Sequence, residues 1–136
     1  MSAALVTLSG VDKLTAVARQ VVRDTPAPEP CFVSLDVRMS QIDIQPSGGR
    51  DPVEALGTLL VWTHTLTGIT GTWFCTRDGD LFITLAGRGP SGVQVRVYSS
   101  IPFDGARGYV TRPADGGESV TPDELYQLAL SIREGQ

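Results

Sequence analysis

Three short segments rich in threonine, valine, isoleucine and aromatic residues follow one another between residues 69 and 100. They span about 69–76, 81–87 and 93–100, and an Asp-Gly turn and a glycine-rich turn separate them. Such residues favour extended backbone, and turns this short leave no room for a crossover helix. The sequence therefore predicts an antiparallel meander of three strands.

The Asp78-Gly79 dipeptide between the first two strands predicts their register. Read as a two-residue type I′ turn, it sets Phe74 opposite Ile83. Alternation along the strands then predicts two faces. The predicted core face holds Phe74, Leu81, Ile83, Leu85, Val93, Val95 and Val97. The second predicted face holds Trp73, Cys75, Phe82, Arg96 and Tyr98.

The second predicted face is also aromatic, which leaves two alternatives. Either another element of the chain covers it, or it is an exposed binding surface. Because aromatic residues and arginine dominate the binding energy of protein interfaces, an exposed face predicts a homodimer or another protein partner. The candidate partner-binding residues are Trp73, Phe82, Arg96 and Tyr98.

Apolar spacing predicts three helices around the meander. The first spans about residues 11–23, with Ser9 as a candidate cap. The second follows a capping box at residues 51–54, and its apolar residues from Val53 to Leu66 leave no continuous polar face, so the fold or a partner must cover it. The third opens at a second capping box, residues 121–124.

A fourth strand is predicted at residues 31–44, ahead of the second helix. Apolar residues alternate along its first part, and then Ile42 and Ile44 fall on the other parity, which a β-bulge near residues 40–41 would correct. The element order is then α-β-α-β-β-β-α. This order predicts an α+β fold in which an antiparallel four-stranded sheet packs against helices.

The length of the chain fits one domain, residues 1–136. We expect a flexible N-terminus at residues 1–8 and a stiff proline-rich connector at residues 25–30. Residues 102–117 are predicted to form a loop, long for a compact domain and therefore functional or mobile. Its candidate binding residues are Arg107, Tyr109 and Arg112.

Charge and hydropathy disfavour two classes of partner. The net charge is −4 and the pI is about 4.8, which works against attraction to nucleic acid. No apolar run approaches the roughly 20 residues of a membrane span, and no export signal is recognisable, so we expect a cytoplasmic protein. Ten arginines against the single Lys13, with no asparagine, are typical of GC-rich codons. We expect an actinobacterium-like host, or one of its phages or plasmids.

Residues with catalytic or metal-binding chemistry are few. His64 is the only histidine, and Cys31 and Cys75 have no metal-ligand spacing, so we expect reduced thiols. The glycines of the stretch 87–92 match a dinucleotide-binding pattern in letters, but a strand rather than a helix follows them, which favours a hairpin loop. No catalytic residue, metal site or cofactor site is predicted.

From residue 52 onward the element order resembles the α-β-β-β-α plan of double-stranded RNA-binding domains. That resemblance implies lysines at the start of the last helix, where they would hold phosphate groups. Here that place reads Thr121-Pro122-Asp123-Glu124, and acidic groups repel phosphate. None of the family's function is carried over to this chain.

Three functional hypotheses follow from these patterns. The first is a non-enzymatic interaction or regulatory module that binds itself or another protein through the second predicted face. The second is a small-ligand-binding protein or minor enzyme, with a pocket between the sheet and the 102–117 loop where Asp104, Arg107, Tyr109 and Arg112 converge. The third is a nucleic-acid-binding accessory protein, for which this acidic chain offers no visible basic groove.

Overall fold

The computed structural model describes residues 3–47 and 51–135, with the backbone alone for residues 3–8. The described chain has a mixed α+β fold, as predicted. Its helices are α1 (Ala3–Asp24), α2 (Pro52–Trp62), α3 (Phe103–Ala106) and α4 (Pro122–Glu134). Its strands are β1 (Phe32–Asp36), β2 (Gln41–Gln45), β3 (Thr67–Cys75), β4 (Asp80–Arg88), β5 (Gln94–Pro102) and β6 (Glu118–Ser119).

The strands form one six-stranded mixed sheet in the order β1-β2-β5-β4-β3-β6. The antiparallel meander β3-β4-β5 is confirmed. The predicted four-stranded antiparallel sheet is wrong, because β2 pairs with β5 in parallel and β6 adds a short edge strand. Parallel pairing joins segments that are distant in the chain, and local alternation carries no information about it.

The predicted single strand over residues 31–44 is also wrong. β1 and β2 form an antiparallel hairpin in which Val33 lies opposite Ile44. The chain reverses over residues 37–40, where Ser40 has a left-handed backbone with φ of 50°. The change in apolar parity therefore marks a four-residue turn between two strands, and no bulge within one strand is needed.

Helix α1 begins at Ala3, so Ser9 lies inside it and is not its cap, and residues 3–8 are helical. Residues 1–2 lie outside the described chain. Four apolar residues at helical spacing are buried on one side of α1, namely Leu14, Val17, Ala18 and Val21. The helix ends before the proline-rich connector at residues 25–30, which has no regular structure. Proline there removes the donors that a further helical turn needs.

Helix α2 is covered by the chain's own fold. It packs on α4 and on β5, and its buried residues are Ala55, Leu56, Leu59 and Trp62. Residues of the connector lie against another side of α2, where Pro26, Pro28 and Val61 line one cleft. The described chain therefore buries four residues of α2 and partly covers Val53, Leu60 and Val61.

The two predicted capping boxes differ in outcome. At the start of α4, the Thr121 side chain accepts from the Glu124 amide at 3.1 Å, and the Glu124 carboxylate accepts from the Thr121 amide at 3.0 Å. This capping box is confirmed. At the start of α2, Asp51 has the extended backbone of a cap, but its side chain makes no capping hydrogen bond within the described residues.

One hydrophobic core lies between one face of the sheet and helices α1, α2 and α4. Trp62, Leu59, Ile83, Leu85 and Val97 are fully buried there. Within residues 3–47 and 51–135, no helix is long and apolar enough to cross a bilayer.

Candidate functional site

The register between β3 and β4 differs from the prediction by one residue. Phe74 lies opposite Phe82, and Trp73 lies opposite Ile83. A shift of one residue moves every side chain of a strand to the other face of the sheet. The predicted faces of β3 are therefore wrong. Trp73 lies in the core, only 6% exposed, and Phe74 takes its place beside Phe82.

The loop between β3 and β4 causes this shift. It contains three residues, 77–79, and the Thr76 amide donates to the Asp80 carbonyl at 2.8 Å. Gly79 closes the loop with φ of 86°. A left-handed glycine in the last position is typical of three-residue hairpin loops. Because the Asp-Gly dipeptide suits both two-residue and three-residue loops, its letters alone do not determine the register.

The outer face of the sheet is the face whose side chains alternate with those of the core. Its central part carries Phe32, Ser34, Asp43, Phe74, Phe82, Thr84, Arg96 and Tyr98. Phe32 and Phe74 are 55% and 42% exposed, so no described element covers them. A shallow depression of about 310 Å³ lies on this face between β1 and β4. The outer face is thus partly apolar and accessible.

Three aromatic rings form a continuous strip across β3, β4 and β5. The ring centroids of Phe74 and Phe82 are 5.3 Å apart, and those of Phe82 and Tyr98 are 5.8 Å apart with 28° between the planes. These separations lie in the range of favourable aromatic pairing. We call Phe74, Phe82 and Tyr98 the aromatic strip.

An ion pair borders the aromatic strip. Arg96 Nε donates to Asp43 Oδ1 at 2.8 Å, and its Nη2 donates to Oδ2 at 3.0 Å. Pairing of β2 with β5 sets these two residues side by side. The hydrogen bonds from Arg96 hold the pKa of Asp43 below its usual value, and those to Asp43 raise the pKa of Arg96. The pair compensates the charge of Asp43, and the exposed Asp36 on the same face also acts on Arg96.

The structure brings together three of the four predicted partner-binding residues. Phe82, Arg96 and Tyr98 lie on the outer face, whereas Trp73 lies beneath the sheet. Sequence reasoning missed Phe74 and Asp43. Phe74 would have been found from the three-residue loop. The position of Asp43 beside Arg96 depends on the parallel pairing of β2 with β5, for which the sequence has no local signal.

Residues 102–117 are only partly irregular. Pro102 ends β5, α3 follows it, and a short bridge joins Arg107 to Val110. Asp104, Arg107 and Arg112 line one cavity of about 600 Å³, which we call the loop cavity. The Arg107 guanidinium lies 3.7 Å from the Asp104 carboxylate, and both side chains are largely exposed. Tyr109 lines a different cavity, so these four residues do not all converge.

The other chemically notable residues do not form a site in the described chain. His64 is exposed in the short turn after α2. Cys31 and Cys75 are free thiols. Gly87 lies within β4, and Gly89 and Gly92 lie in the connection between antiparallel strands β4 and β5, as predicted for a hairpin loop. No group of three or more His, Cys, Asp or Glu residues in the described ranges is arranged to hold a metal ion.

Comparison with protein-family models, with curated proteins and with solved structures finds no match for this chain.

Proposed function

We propose that this protein is a non-enzymatic interaction module that associates with a second copy of itself through the outer face of the sheet. One observation carries the proposal: the aromatic strip lies on a face that no described helix covers, with Phe74 42% exposed at one end. Burying the part of Phe74 that is still exposed would contribute about 1 kcal/mol to association.

The residue types on the outer face support a protein occupant. Tyrosine and arginine are enriched among the residues that dominate protein interfaces. Tyr98 and Arg96 lie on neighbouring positions of the outer face along β5, with Arg96 exposed and Tyr98 partly buried. A nucleic acid is a poorer occupant, because Asp43 neutralises Arg96 and no basic groove borders the aromatic strip within the described residues.

Charge favours a second copy as that occupant. Two copies of a chain with net charge −4 repel each other at long range. At the centre of the outer face, however, Asp43 and Arg96 form an ion pair, which reduces like-charge repulsion where two such centres meet. Most soluble homo-oligomers are two-fold symmetric, and a two-fold interface brings the same patch of each copy together. An aromatic patch beside a compensated ion pair suits such self-complementary contact.

Sedimentation velocity over a concentration series tests the proposal. The informative variant is Phe74→Ser/Tyr98→Ser, which removes both ends of the aromatic strip. We expect the wild-type protein to dimerise. The variant should dimerise at least about tenfold more weakly, which corresponds to a loss of about 1.4 kcal/mol of binding free energy. The matched control is Tyr126→Ser, since Tyr126 is 53% exposed on α4, away from the sheet.

Two results would overturn the proposal. One is a wild-type protein that stays monomeric up to about 1 mM, because a Kd of 1 mM corresponds to a binding free energy of only about 4 kcal/mol. The other is equal weakening by Tyr126→Ser and by Phe74→Ser/Tyr98→Ser. Circular dichroism of each variant at the same concentration separates loss of association from loss of fold.

The loop cavity supports a second candidate function, the binding of a small polar ligand. It is lined by Asp104, Arg107 and Arg112 together with Cys75 and Asp78, and its volume is about 600 Å³. A ligand present at 100 times its Kd would stabilise the fold by about 2.7 kcal/mol in a thermal-shift screen. Such a response should vanish in Arg107→Gln/Arg112→Gln and persist in the control Arg133→Gln on α4. Absence of any stabilising metabolite would contradict this candidate.

A further inference from the structure

Strand β1 is one edge of the sheet, and no described strand pairs with it on the side away from β2. An edge strand presents unpaired backbone N–H and C=O groups, which can pair with another extended chain. Proteins commonly blunt such edges with proline, lysine, a bulge or a very short strand. The opposite edge, β6, has only two residues, whereas β1 has five in unbroken register with β2 and contains neither proline nor lysine. The edge at β1 is therefore open to a further strand.

The core side of β1 is not sealed at this edge. Val33 and Leu35 lie opposite Ile44 and Ile42, which are fully buried, so all four side chains point to the core side of the sheet. Val33 is nevertheless 36% exposed, and Leu35 is partly exposed. Side chains of a strand added beside β1 would therefore lie next to Val33 and Leu35 on this side.

Helix α1 forms the other wall of this opening. A cavity of about 420 Å³ lies between α1 and β1, and we call it the edge groove. Its lining residues recur at helical spacing along α1 and at alternate positions of β1, namely Thr15, Ala18, Arg19, Val22, Arg23, Val33 and Leu35. The aliphatic members of this set suit apolar side chains. The edge groove contains no residue of the aromatic strip, so an occupant there is independent of the proposed self-association.

Two arginines give the edge groove a positive rim. Arg19 and Arg23 are both exposed on α1, and neither forms an ion pair with another described residue. No carboxylate of the described chain lines the groove. The whole chain has a net charge of −4, so the local charge of the groove is opposite to that of the molecule. Charge complementarity therefore favours an occupant that carries carboxylates.

We propose that β1 accepts an extended segment of a partner protein as an additional strand, and that the aliphatic and acidic side chains of this segment face the edge groove. When a strand is added to a sheet edge, main-chain hydrogen bonds give affinity and alternate side chains give specificity. Aliphatic side chains of the segment contact Val22 and Val33. Its carboxylates accept charge-assisted hydrogen bonds from Arg19 and Arg23.

Two other occupants fit the edge groove less well. A two-fold contact with a second copy brings the same patch of each copy together, so Arg19 and Arg23 of both copies would share one interface without a carboxylate among the groove residues. The phosphates of a nucleic acid would pair with the arginines but would leave the aliphatic residues and the backbone of β1 unused.

Fluorescence anisotropy of a labelled peptide tests the proposal. The probe is Glu-Thr-Val-Thr-Val-Thr-Glu, with fluorescein at its N-terminus and an amidated C-terminus. In an extended chain both valines and both glutamates lie on one face. The sequence reads the same in both directions, so a carboxylate lies at each end whichever way the peptide runs along β1. The neutral comparison is Gln-Thr-Val-Thr-Val-Thr-Gln with the same label.

We expect the acidic peptide to bind saturably and the neutral peptide to bind at least about tenfold more weakly, because the neutral peptide lacks the charge-assisted hydrogen bonds. Equal binding of the two peptides, or no saturable binding of the acidic one, would overturn the proposal.

An N-methylated peptide tests strand addition without any change to the protein. N-methylation at every internal residue of the acidic peptide keeps its side chains and charges but removes the N–H donors that pair with an edge strand. We expect this peptide to bind at least about tenfold more weakly than its parent. Unchanged affinity would contradict strand addition at β1.

Variants distinguish the edge groove from general attraction between charges. We expect Arg19→Gln/Arg23→Gln to bind the acidic peptide at least about tenfold more weakly. Arg77→Gln/Arg133→Gln makes the same change in net charge at exposed positions outside the groove and should leave the affinity unchanged. Equal weakening by both pairs would overturn the proposal.

Sedimentation velocity of Arg19→Gln/Arg23→Gln separates a peptide occupant from a second copy. Stronger dimerisation of this variant than of the wild type, without weaker peptide binding, would assign the edge groove to a second copy and overturn the proposal.

Discussion

Trp73 and Phe74 are neighbours in the chain and have opposite surroundings. Trp73 is 6% exposed beneath the sheet, whereas Phe74 is 42% exposed on the outer face. Replacing a buried tryptophan by alanine costs about 3–5 kcal/mol, whereas a half-exposed phenylalanine has much less apolar contact to lose. We therefore expect Trp73→Ala to lower the free energy of unfolding by about 3–5 kcal/mol and Phe74→Ala by under about 1 kcal/mol.

Urea denaturation of the two variants at low protein concentration, where association is absent, measures this difference. The predicted sheet register, with Phe74 in the core, requires the reverse order of effects. A larger loss for Phe74→Ala than for Trp73→Ala would therefore contradict the register described here.

The ion pair between Asp43 and Arg96 predicts a pH dependence. Hydrogen bonding to Arg96 lowers the pKa of Asp43 in the folded state. A carboxyl with a lowered folded pKa stabilises the fold above its unfolded pKa, about 3.9, and this stabilisation disappears as the pH falls through the folded value. We expect Asp43→Asn to cost about 0.5–1 kcal/mol near neutral pH, since both side chains are partly exposed.

The difference in unfolding free energy between wild type and Asp43→Asn should therefore be constant above about pH 5 and shrink below about pH 4. Urea denaturation at a series of pH values measures it, and Asp12→Asn, at an exposed position of α1, is the control. A difference that persists unchanged at about pH 2, or one that Asp12→Asn reproduces, would contradict a stabilising ion pair.

At the scale of elements, the loop between β3 and β4 determines which aromatic residues reach the outer face. Gly79 has φ of 86°, a conformation that costs an L-amino acid free energy. We expect Gly79→Ala to destabilise the fold by about 1 kcal/mol. Gly57, in the interior of α2, has room for a methyl group, and Gly57→Ala should stabilise the fold by about 0.5–1 kcal/mol through helix propensity.

Thermal unfolding of the two glycine variants checks these opposite signs. Stabilisation by Gly79→Ala would mean that the loop does not use a left-handed residue there. The register that depends on this loop, with Phe74 opposite Phe82, would then be in doubt.

Element types could be predicted from the sequence more fully than their pairing. The helix at 122–134 has a capping box and buried residues at helical spacing, both visible in the sequence. The strands of the meander likewise follow from their composition. The hairpin of β1 and β2 was hidden, because residues 37–40 lack the glycine or Asn-Gly signal of a short turn. Ser40 adopts the left-handed conformation without being glycine.

At the scale of the whole molecule, the candidate site depends on pairings between distant segments. Arg96 meets Asp43 only because β5 pairs in parallel with β2, across 53 residues of chain. No local pattern indicates such a contact, so Asp43 could not be predicted as part of the site. Phe82, Arg96 and Tyr98 could be predicted to lie together, because alternation alone places neighbouring residues of antiparallel strands on one face.

The central claim is that the outer face is where two copies of this chain meet. ¹H–¹⁵N correlation spectra recorded over a concentration series test it most directly, because they report the position of the contact as well as its existence. We predict concentration-dependent shifts that cluster on Phe74, Phe82, Arg96 and Tyr98, with the resonances of α1 and α4 unchanged. Shifts confined to the helices, or spectra that do not change with concentration, would contradict the claim.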